Sequence, residues 1–225
     1  MLNSSLKIVA LIPMRHHSER VKGKNYRPFA GEPLYRHIVR SLINCKQITQ
    51  VMIDTDSPVI IADAEKVFPE VKVYHRPEHL RDGMMPMNDI LLNDVKQINA
   101  DFYLQTHSTN PLIKSETIER AIMMFLKNIP EKDSLFSVTR IQSRIWDKDG
   151  KPINHDPAVL LRTQDLAPVY EENSCLYIFT KEILEKRKNR IGFRPLMFEI
   201  DRIEAWDIDE EVQFQIAESL YLMRR

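Results

Sequence analysis

The sequence predicts a single α/β domain built on a doubly wound, mostly parallel sheet. Short runs rich in β-branched residues alternate along the chain with amphipathic helical patterns, which is the order of a doubly wound fold. The runs are too apolar to leave one face in water, so we expect helices on both faces of the sheet. A chain of 225 residues with 43% hydrophobic residues can bury one such core. We therefore expect one domain over residues 1–225.

Five apolar runs predict the strands, in the order KIVALIP, VMIDT, VKVYH, DFYLQT and SLFSVT. Between them, four segments with apolar residues three and four positions apart predict helices: EPLYRHIVRSLI, SPVIIADAEKVF, MNDILLNDVKQI and SETIERAIMMFLK. Ser57 and Ser115 stand at expected N-cap positions, and Pro58 at a first helical position. Ligands of such a sheet are expected at the carboxyl ends of its strands.

The alternation stops after Thr139. Residues 140–171 mix prolines, Gly150 and many polar residues, which predicts an inserted arm and not a second domain. SCLYIFT then resumes as a strand, and the chain closes with RPLMFEID, an extended AWDID and a final helix EEVQFQIAESLYLM. One face of that helix is expected to carry Val212, Ile216, Leu220 and Met223.

Charge and cysteine content narrow the classes of partner. The chain has 32 basic and 32 acidic residues, so no global basic field indicates a nucleic acid or an anionic membrane as partner. The apolar run at the N-terminus is too short for a signal peptide or a membrane span. Cys45 and Cys175 have no metal-ligand spacing and are expected to be buried thiols. These features predict a cytoplasmic protein without disulfides.

A strongly basic stretch follows the first predicted strand. Residues 12–34, IPMRHHSERVKGKNYRPFAGEPL, carry seven Lys, Arg or His residues. Arg15, Arg20, Lys22 and Lys24 could surround one polyphosphate, because its oxygens accept both guanidinium and ammonium donors. A solvated charged loop is the alternative, and the position beside the first strand favours the ligand site.

The same stretch resembles the nucleotide-binding signature of the sugar-acid cytidylyltransferases, the family that makes CMP-sialic acid and relatives such as CMP-Kdo. The positions that match are Arg15, Ser18, Lys24, Asn25, Pro28, Gly31, Pro33 and Leu34. The resemblance implies a Rossmann-like nucleotidyltransferase fold, with CTP bound by the first four of these residues. His16 and His17 stand where many members have two glycines, so the turn is less strained here or the histidine side chains take part.

Two further segments resemble the parts of the family that surround the base. VMIDTDSPVIIADA is similar to its second strand and the following helix, and YHRPEHLRD to its Arg-Pro-x-x-Leu-x-x-Asp segment. The resemblance implies that Arg76 and the loop to Asp82 contact the cytosine. The alternative is that Arg76 only pairs with a surface carboxylate.

The acceptor side of the resemblance rests on two polar segments. YLQTHSTNPLI contributes Gln105 and His107, and RTQDLAPVYEENSCLYIFT contributes Gln164, Glu172 and Asn173, with Ser174 in place of a glycine. The resemblance implies that these residues bind the sugar, whose hydroxyls need neutral hydrogen-bonding groups. Turn formation and ordinary surface polarity are the alternatives.

AWDIDEEVQF carries a pair of carboxylates. In an extended segment Asp207 and Asp209 point to one face and Ile208 to the other. Mg²⁺ is commonly held by one or two carboxylates together with phosphate oxygens and water, which fits this pair. The alternative is that Asp209 caps the last helix, with Glu210 and Glu211 in its acidic first turn. The resemblance implies the metal site.

These patterns lead to one expected reaction. CMP passes from CTP to the anomeric hydroxyl of a nonulosonic or related sugar acid, and pyrophosphate is released. Arg15, Lys24, Asp207 and Asp209 are the expected catalytic residues, with Mg²⁺ on the two aspartates. Two alternatives stay open, a glycosyltransferase with an Asp-x-Asp metal pair and a non-catalytic nucleotide-binding homologue. Against the first, an acidic pair normally follows the central strands, whereas this one precedes the last helix.

The arm predicts a homodimer. It carries more apolar residues than an exposed insertion tolerates, namely Ile145, Trp146, Val159, Leu160 and Leu161. The resemblance to dimeric sialic-acid-activating enzymes implies that the arm contacts the partner and helps to complete its sugar site. Packing of the arm against its own domain is the alternative.

Overall fold

One sheet of seven strands organises the protein in the computed structural model, which describes residues 6–224. The strands of this sheet and of a small hairpin are β1 (Ile8–Met14), β2 (Pro28–Phe29), β3 (Glu32–Pro33), β4 (Gln50–Thr55), β5 (Lys72–His75), β6 (Phe102–Gln105), β7 (Ser134–Ile141), β8 (Val169–Phe179) and β9 (Pro195–Glu199). The order in the sheet is β5-β4-β1-β6-β8-β7-β9. Only β8 runs antiparallel to its neighbours, so the predicted mostly parallel sheet is confirmed.

Helices cover both faces of the sheet, as the apolar strands predict. They are α1 (Leu34–Ile43), α2 (Pro58–Val67), α3 (Met87–Gln97), α4 (Ser115–Asn128), α5 (Lys181–Arg187) and α6 (Glu211–Met223). Every residue of β1 is buried, because β1 lies between two parallel neighbours and under helices on each side. The sequence prediction missed α5 and the β2–β3 hairpin, since both are short.

Helix caps test the boundary predictions. Ser57 is the N-cap of α2, where its hydroxyl accepts a hydrogen bond from the Ile60 amide at 3.3 Å, and Pro58 is the first helical residue. The predicted cap at Ser115 is wrong. The carbonyl of Lys114 already accepts the first helical hydrogen bond, so α4 begins one residue earlier than the pattern indicates.

Three of the four residues on the predicted face of α6 point outward. Val212, Ile216 and Met223 are exposed, whereas Leu220 packs against the buried cluster that contains Phe214 and Ala217 beside the β2–β3 hairpin region. The buried side of α6 also packs on Ile208, which fixes the segment that carries the two aspartates. The final helix therefore positions the predicted metal site.

The arm is slightly shorter than predicted. β7 extends to Ile141 and β8 begins at Val169, so the irregular segment spans residues 142–168. Asn154 holds its base closed, because its amide nitrogen donates to the carbonyls of Ser143 and Ala167 at 2.8 and 2.9 Å. Of the five apolar residues predicted to be exposed, Trp146, Val159, Leu160 and Leu161 are exposed in the single chain, to 90% at Leu160 and 49% at Trp146, whereas Ile145 is half-buried.

Both cysteines are buried free thiols, as predicted. Burial raises the pKa of Cys45 to about 11 and also raises that of Cys175. Within residues 6–224, no helix has the length and apolar character that a membrane span requires.

Candidate active site

Polar loops follow the carboxyl ends of the parallel strands β1, β4, β5 and β6, and two cavities open along this edge. The first, here called the basic cavity, has a volume of about 340 Å³ and is lined by Arg15, Arg20, Lys24 and Arg76. All six residues predicted to bind the nucleotide line it: Arg15, Ser18, Lys24, Asn25, Arg76 and Asp82. The basic stretch therefore forms a wall of one cavity, and not a dispersed charged surface.

A tight turn aims Lys24 into the basic cavity. Gly23 has a φ of 67°, and a Cβ there would lie 2.9 Å from the Tyr26 ring. The Lys24 ammonium donates to the Ile208 carbonyl and lies 3.9 Å from Asp209 Oδ1. Burial lowers the pKa of Lys24, while the charges of Asp207 and Asp209 oppose the shift. Lys24 is thus a partly dehydrated cation, which strengthens its attraction for a phosphate.

Arg15 and Arg20 complete the basic wall through contacts that hold their guanidinium groups. Arg15 Nη1 donates to the Gly83 carbonyl at 3.0 Å, which links the first loop to the loop after β5. Arg20 Nη2 donates to Asp209 Oδ1 at 2.6 Å. Lys22, the fourth predicted cation, does not line the cavity.

Asn25 braces the floor of the basic cavity. Its amide nitrogen donates to the Arg15 carbonyl at 2.8 Å, and its amide oxygen accepts from the Ser108 hydroxyl at 2.7 Å. These bonds tie the loop after β1 to the loop after β6. Asn25 is therefore well placed to hold Arg15 in position as well as to line the cavity.

Arg76 is paired with a buried carboxylate, so the alternative of a surface partner is wrong. Its Nε and Nη2 atoms each lie 2.8 Å from Asp54 Oδ2, and both side chains are 1% exposed. Nη1 has no hydrogen-bond partner in the described part of the chain, and Arg76 lines the basic cavity. A buried, unsatisfied donor is costly, so Nη1 is suited to a ligand's acceptor. The contact with cytosine stays a prediction.

A second buried carboxylate accompanies this pair and was missed from the sequence. Asp94 on α3 is fully buried, and neither of its oxygens has a hydrogen-bond partner among residues 6–224. Burial, and then the charge of Asp54, raise the pKa of Asp94, and burial raises that of Asp54 against the opposing charge of Arg76. The signal available in the sequence was an aspartate within each of two otherwise apolar patterns.

The loop after β5 closes one side of the basic cavity. Asp82 lines the cavity, and its carboxylate accepts from the Met84 amide at 2.8 Å. Met84 itself is exposed. Asp82 therefore shapes the turn that brings Gly83 against Arg15, and its contact with the base stays a prediction.

The two histidines of the first loop have different surroundings. The backbone amide of His16 donates to the Asp56 carboxylate at 2.7 Å. The His16 ring lies 2.8 Å from the Ser57 hydroxyl and stacks on Tyr26. The side chain of His17, in contrast, lines the basic cavity. Neither residue is among the described non-glycine residues with positive φ. The loop therefore avoids the strained turn for which glycines would be needed.

The second cavity, here called the acidic cavity, has a volume of about 350 Å³. It is lined by Glu171, Glu172, Asn173, Asp207 and Asp209, and Asp209 also lines the basic cavity. The two cavities therefore meet at the predicted metal site. Such an arrangement can bring a bound phosphate next to a second substrate.

Of the five predicted sugar-binding residues, Glu172 and Asn173 line the acidic cavity, and His107 lines the basic one. Gln164 lies in a short turn of the arm (Thr163–Asp165) and lines neither cavity in the single chain. Gln105 is fully buried, where it contacts His107 and Arg190. Sugar binding by all five stays a prediction.

The amide of Asn173 is engaged within the protein. Its oxygen accepts from the Ser137 hydroxyl at 2.5 Å and its nitrogen donates to the Thr139 hydroxyl at 2.9 Å. Ser174 follows with a φ of 58°, the left-handed conformation that explains why a glycine suits this position. The Tyr177 hydroxyl donates to Glu172, which holds that carboxylate beside the cavity.

Asp209 is not the helix cap, so that alternative is wrong. Glu210 caps α6 in a capping box with Gln213, whose side chain accepts from the Glu210 amide at 2.7 Å. Ile208 is buried while Asp207 and Asp209 both line the acidic cavity, which confirms the predicted convergence of the two carboxylates. The carboxylate of Asp209 thus stays available for ligands, although Arg20 contacts it.

The aspartates fit a hard divalent cation. Asp207 Oδ1 is buried and has no hydrogen-bond partner within the described chain. Burial, together with the charge of Asp209, raises the pKa of Asp207, while a hydrogen bond from Thr109 and the charge of Lys24 oppose the shift. No group of three or more acidic, His or Cys side chains that could hold a metal occurs among the described residues. This donor set matches Mg²⁺, which takes few protein ligands and keeps phosphate oxygens and water.

Arg202 in the acidic cavity was also missed from the sequence. It lies in the turn after β9 and is the one Lys or Arg among the residues described as lining that cavity. A single arginine outside any motif does not indicate a binding site in the sequence, because its role depends on the carboxylates that folding brings around it.

Comparisons with known proteins support the same family. The family described as Cytidylyltransferase matches residues 9–224. The chain is 27% identical to post-translational flagellin modification protein B of Campylobacter coli, over 95% of this chain and 94% of the relative. It is 28% identical to CMP-N,N'-diacetyllegionaminic acid synthase of Legionella pneumophila, over 96% of each. It is 27% identical to N-acylneuraminate cytidylyltransferase A of Danio rerio, over 97% of this chain and 51% of the relative.

Solved structures confirm the fold. The structure of CMP:2-keto-3-deoxy-manno-octonic acid synthetase complexed with CTP superposes with a TM-score of 0.74, at 15% identity, over 97% of this chain and all of the other. The 4-diphosphocytidyl-2C-methyl-D-erythritol synthase of Anaerococcus prevotii gives a TM-score of 0.70 at 14% identity, over 97% of each. The predicted Rossmann-like nucleotidyltransferase fold is confirmed. Because the family match spans nearly the whole chain, this protein is a member of the cytidylyltransferase family.

Proposed function

We propose that the protein transfers CMP from CTP to the anomeric hydroxyl of a nonulosonic or related sugar acid. Family membership supports nucleotidyl transfer over the glycosyltransferase alternative. The names of several relatives support a sugar acid as acceptor. The single observation that carries the proposal is the junction of the basic and acidic cavities at Asp209.

The basic cavity suits the triphosphate. Arg15, Arg20 and Lys24 come from one loop and face the same space, where a triphosphate needs several positive donors. The acceptor hydroxyl oxygen attacks the α-phosphorus, the bond from that phosphorus to the bridging oxygen breaks, and pyrophosphate leaves with the electron pair. The hydroxyl proton passes to solvent. The three cations stabilise the negative charge that grows on the departing pyrophosphate.

Asp207 and Asp209 would hold Mg²⁺ at the junction. When bound, the ion supplies Lewis-acid polarisation of phosphate oxygens. The unpaired Oδ1 of Asp207 and the position of Asp209 on both cavities support this role. Lys24, 3.9 Å from Asp209, keeps the local charge balanced before the nucleotide arrives.

The acidic cavity suits the acceptor. Its carboxylates can accept hydrogen bonds from sugar hydroxyls, and Arg202 supplies a cation for the acceptor's carboxylate. Arg202 is exposed, so a ligand can reach it. This pairing explains why an acid would be preferred over a neutral sugar.

The protein is proposed to work in the cytoplasm, where CTP is available. The arm is proposed to form a homodimer. Trp146, Val159, Leu160 and Leu161 are exposed in the single chain, and Gln164 lies on the same arm away from both cavities. A partner subunit would cover the apolar side chains and could bring Gln164 to its own acceptor site. Light scattering tests this: a dimer that Trp146→Ala weakens is expected. A fully active monomer at micromolar concentration would contradict it.

The reaction itself is tested by pyrophosphate release. Purified protein with CTP and Mg²⁺ is incubated with sialic, legionaminic, pseudaminic or Kdo-type acids. Release that depends on both CTP and one of these acids is the expected result. Absence of release with every acid, in a protein that still binds CTP, would instead support the non-catalytic homologue.

A further inference from the structure

Hydrogen bonds and one ring contact connect the two cavities through three residues that line neither of them. The connection begins at His107 on the basic cavity, passes through Gln105, Arg190 and Tyr177, and ends at Glu172 on the acidic cavity. Arg190 lies in the segment between α5 and β9, whose position is held by the bond of its amide to Asn88 Oδ1 at 3.3 Å.

The distances fix the direction of each hydrogen bond. Arg190 Nη1 lies 2.6 Å from Gln105 Oε1, and Gln105 Nε2 lies 2.9 Å from the Thr106 carbonyl and 3.0 Å from His107 Nε2. A guanidinium can only donate, so the amide atom that faces Arg190 must be the oxygen. The amide nitrogen, which can only donate, then faces His107 Nε2. That ring nitrogen must accept, so it carries no proton.

The surroundings of His107 keep its ring neutral. The charged groups that face it are Arg190 and Lys24, and both are cations. Burial, and then these two charges, lower the pKa of His107 to about 3. A neutral imidazole carries one proton, and because Nε2 accepts from Gln105, the proton lies on Nδ1.

We infer that Arg190 is a positioning residue that fixes the Gln105 amide and, through it, the Nδ1-protonated tautomer of His107. His107 then offers a neutral N–H donor at the wall of the basic cavity, and it adds no charge beside Lys24. The ligand that receives this hydrogen bond is a substrate of the proposed reaction, so this last step rests on the proposed function. The tautomer itself does not depend on it.

The second half of the connection extends the effect to the acceptor side. The Arg190 guanidinium lies 3.6 Å from the centre of the Tyr177 ring, and the Tyr177 hydroxyl donates to Glu172 and contacts Ser174 Oγ at 3.2 Å. Loss of Arg190 therefore disturbs a residue on each cavity. This distinguishes it from a residue that serves one substrate alone.

The test measures the tautomer directly by two-bond ¹H–¹⁵N correlation of the histidine rings, with His107→Asn used to assign the signal. Wild-type protein is expected to show Nδ1–H and an unprotonated Nε2 at neutral pH. Arg190→Met removes the donor that holds the amide oxygen and leaves the bond to the Thr106 carbonyl as the remaining restraint, so a partial mixture of tautomers is expected. Arg187→Met is the matched control, because Arg187 also packs on a ring and donates to a carbonyl in the same segment, but only to Phe193 and Gly192.

Gln105→Glu gives a second variant in case Arg190→Met does not fold. A carboxylate cannot donate, so Nε2 of His107 must take the proton and the Nε2–H signal should appear. In turnover assays Arg190→Met should raise KM for CTP and KM for the sugar acid, each roughly tenfold, the scale of one charge-assisted hydrogen bond, while Arg187→Met should leave both unchanged.

The outcomes separate this inference from the proposed reaction. A wild-type Nε2–H signal, or an Arg190→Met spectrum identical to wild type, overturns the positioning role whatever the turnover. Silence of the wild type with every sugar acid overturns the proposed reaction, and the NMR result still decides the tautomer.

Discussion

The basic and acidic cavities meet at Asp209, but they are assembled in opposite ways. The cations of the first loop are already held by the protein, since Arg15, Arg20 and Lys24 each contact an oxygen of another loop. On the acidic side Asp207 keeps a buried oxygen that has no hydrogen-bond partner within residues 6–224, and Arg202 is an exposed cation. The cations of the basic wall are therefore preorganised, whereas Asp207 and Arg202 on the acidic wall leave room for a ligand to supply their partners.

The largest expected effect follows from removal of the junction carboxylates. Asp207→Asn and Asp209→Asn should each lower kcat by roughly 10² or more, the scale for loss of one electrostatic stabiliser of the transition state. Because Glu210 caps α6, Asp209→Asn should not disturb the helix. Steady-state pyrophosphate release and a thermal melt measure the two properties separately. Full activity of either folded variant would contradict a metal role for that residue.

Neutral replacements in the basic wall should give the next largest effect. Arg15→Met and Lys24→Met each remove one charge from the triphosphate site, so kcat/KM for CTP should fall roughly ten- to hundredfold, as for a lost charged hydrogen bond. Lys148→Met is the control, because Lys148 is exposed on the arm and pairs only with Asp149. Unchanged kinetics for both Arg15→Met and Lys24→Met would contradict a role in CTP binding and would support the alternative of a solvated charged loop.

A single change on the acidic wall should separate the substrates. Arg202→Gln should raise KM for the sugar acid roughly tenfold, the cost of one surface-accessible charged hydrogen bond, and leave KM for CTP within twofold. Arg194→Gln, at the other end of β9, is the matched control. An equal rise of both KM values would place Arg202 outside the acceptor site.

The smallest effect concerns stability beneath the basic cavity. Burial raises the pKa of Asp94 in the folded protein above its value in the unfolded chain, so the native state binds the proton more tightly. The contribution of Asp94 to the free energy of unfolding should therefore be present at acidic pH and be lost as pH rises above the usual carboxyl range. Asp94→Asn should reduce that loss, whereas exposed Asp156→Asn should not. Denaturant titrations at several pH values measure it, and identical slopes would show that Asp94 is ionised in the native state.

The sequence predicted the parts of the molecule that depend on local pattern. The strands and most helices appear where apolar periodicity placed them, and the six residues predicted to bind the nucleotide line one cavity because four of them belong to the loop after β1. Asp207 and Asp209 converge because they flank a buried Ile208. Such features follow from neighbours in the chain.

Contacts between distant segments could not be predicted in this way. Asp54 and Asp94 are 40 positions apart and meet only after α3 packs on the sheet beside β4. Arg190 finds Gln105 through a segment after α5, a helix that the pattern did not reveal. The cap of α6 moved from Asp209 to Glu210 because Gln213 completes a capping box. In each case a pairwise contact decides the outcome.

The central claim is that the basic cavity binds CTP and the acidic cavity binds the acceptor. Calorimetric titration of CTP, without any acceptor, tests this claim most directly. Lys24→Met on the basic wall and Glu172→Gln on the acidic wall are compared with wild type in the presence of Mg²⁺. The account predicts that Lys24→Met weakens CTP binding at least tenfold and that Glu172→Gln leaves the Kd unchanged. A Glu172→Gln protein that loses CTP affinity as much as Lys24→Met would contradict it.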